Sequence, residues 1–316
     1  MEEIRVDCPA KINLFLEILG ERDDGYHEVT TVMQTIGLYD RLFFRVKKSG
    51  IDIYCNDSSV PTDERNLIFK VAQLLLDETG VKRGVRIEME KGIPVASGLG
   101  GASSNAAATF IALNHLWNLG LSKDSLLNLS RKVGTDIAFF IYLAKDDFPA
   151  FSGGTLLGKG RGNELTRVFS LPDSWMILVA PSFGVSTKRA YNSLHLELTG
   201  EKKDSKMVVD ALKSGDLRRI SKFLFNRFEE VVAEKYPVID GIKRELVEEG
   251  ATGALMTGSG PVVFGFFLDG EKAKQIAKRI SSGRKEERVY VTRTCTGELK
   301  SATMNFLVEE ETSGNY

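Results

Sequence analysis

The chain has 316 residues, enough for a large core divided between two domains. Its 42 Lys and Arg against 43 Asp and Glu give a net charge of -1, which argues against a general affinity for nucleic acid. No apolar run approaches the roughly 20 residues that span a bilayer, and the opening Met1-Glu-Glu-Ile-Arg5 has no signal-peptide character, so a soluble cytoplasmic protein with no membrane partner is expected.

In chain order, strand patterns come first, at Ile4–Val6, Leu14–Leu19, Leu42–Val46 and Ile51–Cys55, all rich in apolar and β-branched residues. Asn66 then caps a helix that buries Leu67, Ile68, Val71, Leu74 and Leu75 and stops near Gly80. Val85–Glu90 alternates as a half-buried strand and leads through Gly92-Ile-Pro94 into a glycine loop. Helical patterns follow over Asn105–Leu119 and Leu121–Val133, and Gly134-Thr-Asp136 interrupts the period before the apolar run Ile137–Leu143.

Glycine then becomes dense at 153, 154, 158, 160 and 162, which marks a domain junction or a flexible loop over an active site. Beyond it come a strand at Met176–Ala180, helices over Thr187–Leu194, Val208–Glu234 and Ile239–Glu249, and a strand–turn–strand from Ala254 to Phe267. A helix over Glu271–Ile280 and a strand at Val289–Arg293 complete an α/β chain of the α+β type. The expected division is 1–157 and 158–295, with a polar tail at 296–316 that is partly disordered. Cys8, Cys55 and Cys295 are isolated and odd in number, which suits a reducing compartment. His27, His115 and His195 show no metal-ligand spacing, so no protein-held metal is expected; His115 and Trp117 read as packing residues.

The loop Pro94, Val95, Ala96, Ser97, Gly98, Leu99, Gly100, Gly101, Ala102, Ser103 and Ser104 runs straight into a helix, the layout of an anion site. Glycine lets the backbone adopt positive φ and turn N–H groups toward one point, and the helix aims its positive end there. Ser103 and Ser104 can cap the helix, bind phosphate oxygens or meet a magnesium ion. Ser103 stands where a dinucleotide fingerprint needs its last glycine, and the segment has no Gly-Lys-Ser/Thr of a Walker A loop. Gly158-Lys159 comes near that pattern, but Gly160 replaces the hydroxyl residue and the stretch reads as a turn. A nucleotide phosphate is the natural guest.

Three segments, Pro9-Ala-Lys-Ile-Asn13, the loop 94–104 and Thr257-Gly-Ser-Gly-Pro261, resemble in order and spacing the three motifs of the GHMP small-molecule kinases. The resemblance spans about Ile4 to Arg293 and implies a two-domain fold with its active site in the cleft between the domains, the first binding nucleotide and the second substrate. It implies ATP with Mg²⁺, with Lys11 and Asp136 as the catalytic pair. Asp136 would accept a hydroxyl proton, and Lys11 would keep it ionised and stabilise the alkoxide or phosphoryl oxygens.

The added Asp23-Asp-Gly-Tyr-His27 narrows the resemblance to kinases of a cytidine-diphosphate-linked methylerythritol in the non-mevalonate route to isoprenoid precursors. Tyr26 and His27 would then grip the cytosine, Tyr191 would stack on its opposite face, and Asn13 would hold substrate hydroxyls or make a structural bond to backbone. Lys188-Arg189 contacts a substrate phosphate or is a solvated helix end. The alternatives are another acceptor (homoserine, mevalonate or a sugar) or a nucleotide-binding regulator that has lost catalysis.

Overall fold

The structure, a computed structural model, describes residues 3–146, 149–194, 202–297 and 304–306. Two long antiparallel strands organise the first half: β1 (Glu3–Glu21) pairs β2 (His27–Lys47), with Lys11 opposite Thr35 and Asn13 opposite Met33. Between them the register shifts at Pro9/Ala10, Asn13/Phe15 and Ile18/Gly20, and such bulges bend a strand and re-aim its side chains. There follow β3 (Ile51–Cys55), α1 (Leu67–Thr79), β4 (Gly84–Glu90), α2 (Gly101–Leu116), α3 (Lys123–Ser130) and α4 (Ile137–Tyr142). The hairpin β5 (Thr155–Lys159) and β6 (Glu164–Arg167) closes this half. These strands form one sheet in the order β3-β4-β2-β1-β8, with β5 on β2 and β6 on β5; β8 (Phe225–Asn226) returns from the second half to lie parallel to β1.

The second half contains β7 (Trp175–Ala180), α5 (Thr187–Asn192), α6 (Lys206–Lys213), α7 (Leu217–Ser221), α8 (Glu229–Lys235) and α9 (Val238–Glu248). It ends with β9 (Ala254–Met256), β10 (Val263–Phe267), α10 (Gly270–Gly283), β11 (Arg288–Arg293) and β12 (Met304–Phe306). Its sheet is antiparallel throughout, ordered β12-β11-β7-β10-β9. Three apolar layers result: one between the first sheet and α1, α2 and α4, one between the two sheets, and one between the second sheet and α8 to α10. Fully burying one large side chain such as Phe110 or Phe264 stabilises the fold by roughly 1.5–3 kcal/mol.

Local chemistry explains the element ends. Asn66 Oδ1 accepts the Ile68 N–H at 3.0 Å to start α1, and Gly80 ends it in the left-handed region at φ 65°. Helix α2 lies under the sheet with Ala106, Ala107, Ala108 and Ala112 buried, and these small side chains let it approach closely. Trp117 is buried just past its end, while His115 is exposed.

Several sequence expectations are corrected. The boundary at 157/158 falls inside β5, which pairs with β2, so the stretch continues the first sheet; Gly160 and Gly162 are left-handed in the β5–β6 turn, whereas Gly153 and Gly154 precede β5. The helix expected over 208–234 is broken into α6, α7, β8 and α8, since Gly215 turns left-handed at φ 64° and Phe225–Asn226 pairs with β1. In the tail, β12 pairs with β11; the rest of it beyond Gly297, like His195, lies outside the described residues. Among the described residues no helix is long and apolar enough to cross a membrane, and no group of three or more His, Cys, Asp or Glu could hold a metal ion.

Candidate active site

Lys11 sits in the middle of β1, and its burial follows from the layers on both sides of that strand. Ile12 and Leu14 face the apolar layer between the sheets, so the alternate residues Lys11 and Asn13 project from the other face. Only 3 % of Lys11 is exposed, and its Nζ lies 2.6 Å from Asn13 Oδ1 and 3.6 Å from Asp136 Oδ2. Burial pushes the Lys11 ammonium below the usual lysine range, and the Asp136 carboxylate offsets part of that shift. Asp136 occupies the N-cap position of α4, yet its side chain makes no capping hydrogen bond and remains partly exposed. A carboxylate beside a buried cation, with one side open to the cleft, can receive a proton there.

The glycine loop lies directly against Lys11. Ala96, Gly98 and Gly100 take φ of 51°, 79° and 73°, so every second residue is left-handed, and Gly101 starts α2. A Cβ on Gly100 would fall 2.9 Å from Lys11 Cγ and 3.3 Å from the Phe140 ring. One on Gly98 would fall 2.1 Å from the Thr257 carbonyl oxygen. Glycine is therefore required at both positions for conformation and for space. Ala96 has no such freedom and holds a strained conformation, which the sequence does not announce.

Backbone hydrogen bonds tie the three separated segments into one unit. Lys11 N–H donates to Leu99 O at 2.9 Å, Asn13 N–H to Thr257 Oγ1 at 3.0 Å, and Val262 N–H to Ser97 O at 3.4 Å. Asn13 Nδ2 donates to Thr31 Oγ1 at 2.8 Å, and the Thr257 hydroxyl donates to Asn13 Oδ1 at 3.3 Å. The Asn13 carboxamide thus bonds the side chains of Lys11, Thr31 and Thr257, in place of the side-chain-to-backbone bond expected as the structural alternative.

A cleft of about 530 Å³ runs along this unit, lined by Lys11, Asn13, Asp136, the loop from Pro94 to Ser103, Gly258 and Ser259. Leu99 and Ser104 do not line it, because both side chains are fully buried; the Ser104 hydroxyl has no hydrogen-bond partner among the described residues. Ser103 stands on the cleft wall, whereas Ser104 lies behind it, outside the cleft lining. One end of the cleft is formed by Val60, Pro61, Asn66, Leu67, Met89 and Lys91, which sequence reasoning missed because they come from a loop, a cap and a strand end with no shared motif.

At the other end the cleft meets Tyr191, Phe228, Val185 and Arg161. His27 stacks on Tyr191 with ring centroids 4.4 Å apart and planes 24° apart, and the Phe228 ring meets Tyr191 edge-on at 4.8 Å. A base between two rings needs about twice the ~3.5 Å contact distance, so the expected sandwich is closed: the two rings cover each other's apolar faces. Tyr26 stands apart, 47 % exposed, with the Arg161 guanidinium 3.8 Å over its ring. Burial, and then the Asp136 charge, push the Tyr191 phenol up to about 12. Lys188 and Arg189 lie on α5, exposed and outside the cleft lining.

Residues 66–144 match the GHMP kinases N terminal domain and residues 208–285 the GHMP kinases C terminal domain. A protein of Pelotomaculum thermopropionicum named 4-diphosphocytidyl-2-C-methyl-D-erythritol kinase is 44% identical over 286 residues, 90% of this chain and 96% of its own. One of the same name from Clostridium novyi is 41% identical over 90% of this chain and 98% of its own. The chain belongs to the GHMP kinases. Among solved structures, a 4-(cytidine 5'-diphospho)-2C-methyl-D-erythritol kinase superposes with a TM-score of 0.76 at 28% identity, covering 93% of this chain and 100% of that one. A homoserine kinase from Cytophaga hutchinsonii shares the fold, with a TM-score of 0.70 at 20% identity over 96% of this chain and 98% of that one. The expected two-domain GHMP fold is therefore present, and this GHMP kinase is an enzyme for which family membership implies ATP as the phosphoryl donor.

Proposed function

We propose that the chain transfers the γ-phosphoryl group of ATP to the 2-hydroxyl of 4-diphosphocytidyl-2-C-methyl-D-erythritol, a step in making isoprenoid precursors. The observation that carries the chemistry is the Lys11–Asp136 pair at 3.6 Å, set beside the left-handed glycine loop on one cleft wall. The acceptor is assigned from relatives about 40% identical over most of the chain that bear that substrate in their names.

In this reading the loop's N–H groups and the start of α2 bind the phosphates, and the adenine lies toward Val60, Leu67 and Lys91. Asp136 takes the proton of the 2-hydroxyl on a carboxylate oxygen. Lys11 Nζ, held by Asn13, faces the charge that develops on the alkoxide and the moving phosphoryl group. Mg²⁺ bound with ATP would neutralise phosphate oxygens. Magnesium binds through phosphates, waters and few protein oxygens, and the Ser103 hydroxyl on the cleft wall suits that donor set. The cytosine goes to the Tyr26, His27 and Tyr191 end, with Tyr191 leaving His27 to admit it. Nucleotide and acceptor thus divide by end of the cleft more than by half of the chain, because His27 comes from β2 and Tyr191 from α5.

A coupled ADP-release assay over a panel of acceptors tests the assignment. The cytidine diphosphate ester should exceed homoserine, mevalonate and galactose in kcat/KM by about 10⁴-fold or more, the scale on which a site built for polar contacts rejects acceptors lacking them. A non-nucleotide acceptor in first place would overturn the acceptor and leave the kinase fold standing.

A further inference from the structure

The third glycine motif is assigned no chemical step in this reading, but the buried groups behind it show how it is held. Asn226, only 2 % exposed at the end of β8, commits its whole carboxamide to backbone. Its Nδ2 donates to Met256 O at 2.7 Å and to Gly258 O at 2.8 Å, and its Oδ1 accepts the Phe228 N–H at 3.1 Å. Three residues on, Glu229 Oε1 accepts the Met256 N–H at 2.6 Å, while Oε2 accepts Lys243 Nζ at 2.7 Å. Two side chains therefore grip three backbone groups on either side of Thr257.

The gripped turn touches the reacting end of the cleft directly. A Cβ on Gly258 would fall 2.9 Å from Gly98 O and 3.3 Å from Lys11 Nζ. The Thr257 hydroxyl accepts the Asn13 N–H and bonds the Asn13 carboxamide that holds Lys11. With the Gly258 carbonyl fixed on Asn226, the trans peptide points the Ser259 N–H away from Asn226, and Ser259 lines the cleft. Because Asn226 also sits in register with Leu16 of β1, the grip references the turn to the strand that carries Lys11.

We propose that Asn226 is a positioning residue for phosphoryl transfer, acting through the Met256–Gly258 turn and Thr257 to hold Asn13 and Lys11 in reacting geometry. The proposal rests on the active-site reading above. It asks for loss of turnover without loss of binding, because no group touching either substrate is removed. Displacements of about 1 Å at such a distance cost on the order of 10²-fold in rate.

The test compares the parent with Asn226→Asp, which keeps size and puts a carboxylate against two carbonyl oxygens. Expected are a kcat lower by about tenfold or more, with KM for ATP and for the cytidine acceptor within about threefold. Ile276→Val, a core truncation on α10 outside the cleft lining, serves as the stability control and should lower the melting temperature with kcat unchanged. On a Thr257→Val background, Asn226→Asp should cost less than in the parent, since the link it acts through is already cut. Should Asn226→Asp fail to fold, Asn226→Ser, smaller and still a donor, carries the same comparison. A folded variant with kcat within about threefold of the parent, a rise in KM alone, or fully multiplicative losses with Thr257→Val would each overturn the proposal. A parent that fails to phosphorylate the acceptor would instead sink the assigned reaction, so the two failures are distinct.

Discussion

Lys11 and Asp136 split one task between a buried cation and a carboxylate open to the cleft, and the split predicts how each fails. Asp136→Asn keeps the shape but loses basicity and charge, so kcat should fall by roughly 10² to 10⁴ while ATP and acceptor affinities change little. Lys11→Met removes the cation that Asn13 Oδ1 and Asp136 both face, and should also depress kcat. If the two act as a unit, the double variant is little worse than the poorer single one; steady-state kinetics of the four proteins with separately measured affinities decide it. An Asp136→Asn enzyme of near-normal turnover would return Asp136 to the role of a helix-start residue. These residues were legible only through the joint resemblance of three motifs to the GHMP kinases, because taken alone Lys11 reads as a surface charge and Asp136 as a helix cap. Asn226 was not, and Thr257 was legible as part of a motif but not in its role, since ordinary polar side chains gain their meaning from backbone carbonyls and amides about 30 to 240 residues away, which no local pattern records.

The glycine loop shows what an element adds beyond its residues. Gly98 and Gly100 were expected to take positive φ and do, whereas Gly101 already belongs to α2 and is glycine for its approach to Ile93, whose Cγ2 would lie 3.1 Å from an added Cβ. Gly100→Val should therefore act twice, through backbone strain of about 1–2 kcal/mol and by displacing the Lys11 stem. Affinity for a non-hydrolysable ATP analogue should drop sharply in calorimetric titration while the circular dichroism spectrum is retained; unchanged affinity in a folded variant would place the nucleotide elsewhere. The helices α1, α2 and α10 were readable because each is apolar on one face or buried throughout. The two longest strands were recognised only in pieces: β1 is covered on both sides, so its buried run from Cys8 to Ile18 mixes Lys11, Asn13 and Glu17 with apolar residues and has no alternation to detect.

At the scale of the whole molecule the two sheets do not behave as separate bodies, because Ile12, Leu14 and Ile36 share an apolar layer with Leu178, Phe264 and Phe266. A buried ion pair reinforces that union. Arg227 Nε and Nη2 donate to Glu17 Oε1 and Oε2 at 2.7 and 2.6 Å, with side-chain exposures of 2 % and 0 %. Glu17 also accepts the Ile18 and Lys203 N–H groups, so one carboxylate joins β1, the approach to α6 and the residue after β8. Burial alone would raise the Glu17 carboxyl, but the bonds from Arg227 and the two amides outweigh it and hold it below the usual glutamate range. A lowered folded-state value means that the contribution to stability is complete above the unfolded value of about 4.3, and is lost as pH falls through that value and then through the folded one. Glu17→Gln should therefore destabilise the protein at neutral pH by about 3 kcal/mol, the low end for breaking a buried pair, since Gln keeps one acceptor and Arg227 keeps Glu230 at 2.5 Å. The gap between parent and variant should narrow as urea unfolding is repeated at successively lower pH, below the usual glutamate range, as the parent's carboxyl takes up a proton. Adding Arg227→Met to Glu17→Gln should recover part of the loss, because no buried charge is then left short of its partner. A gap that stays constant with pH would show that Glu17 stabilises the union by shape and hydrogen bonding alone, and that its charge contributes nothing.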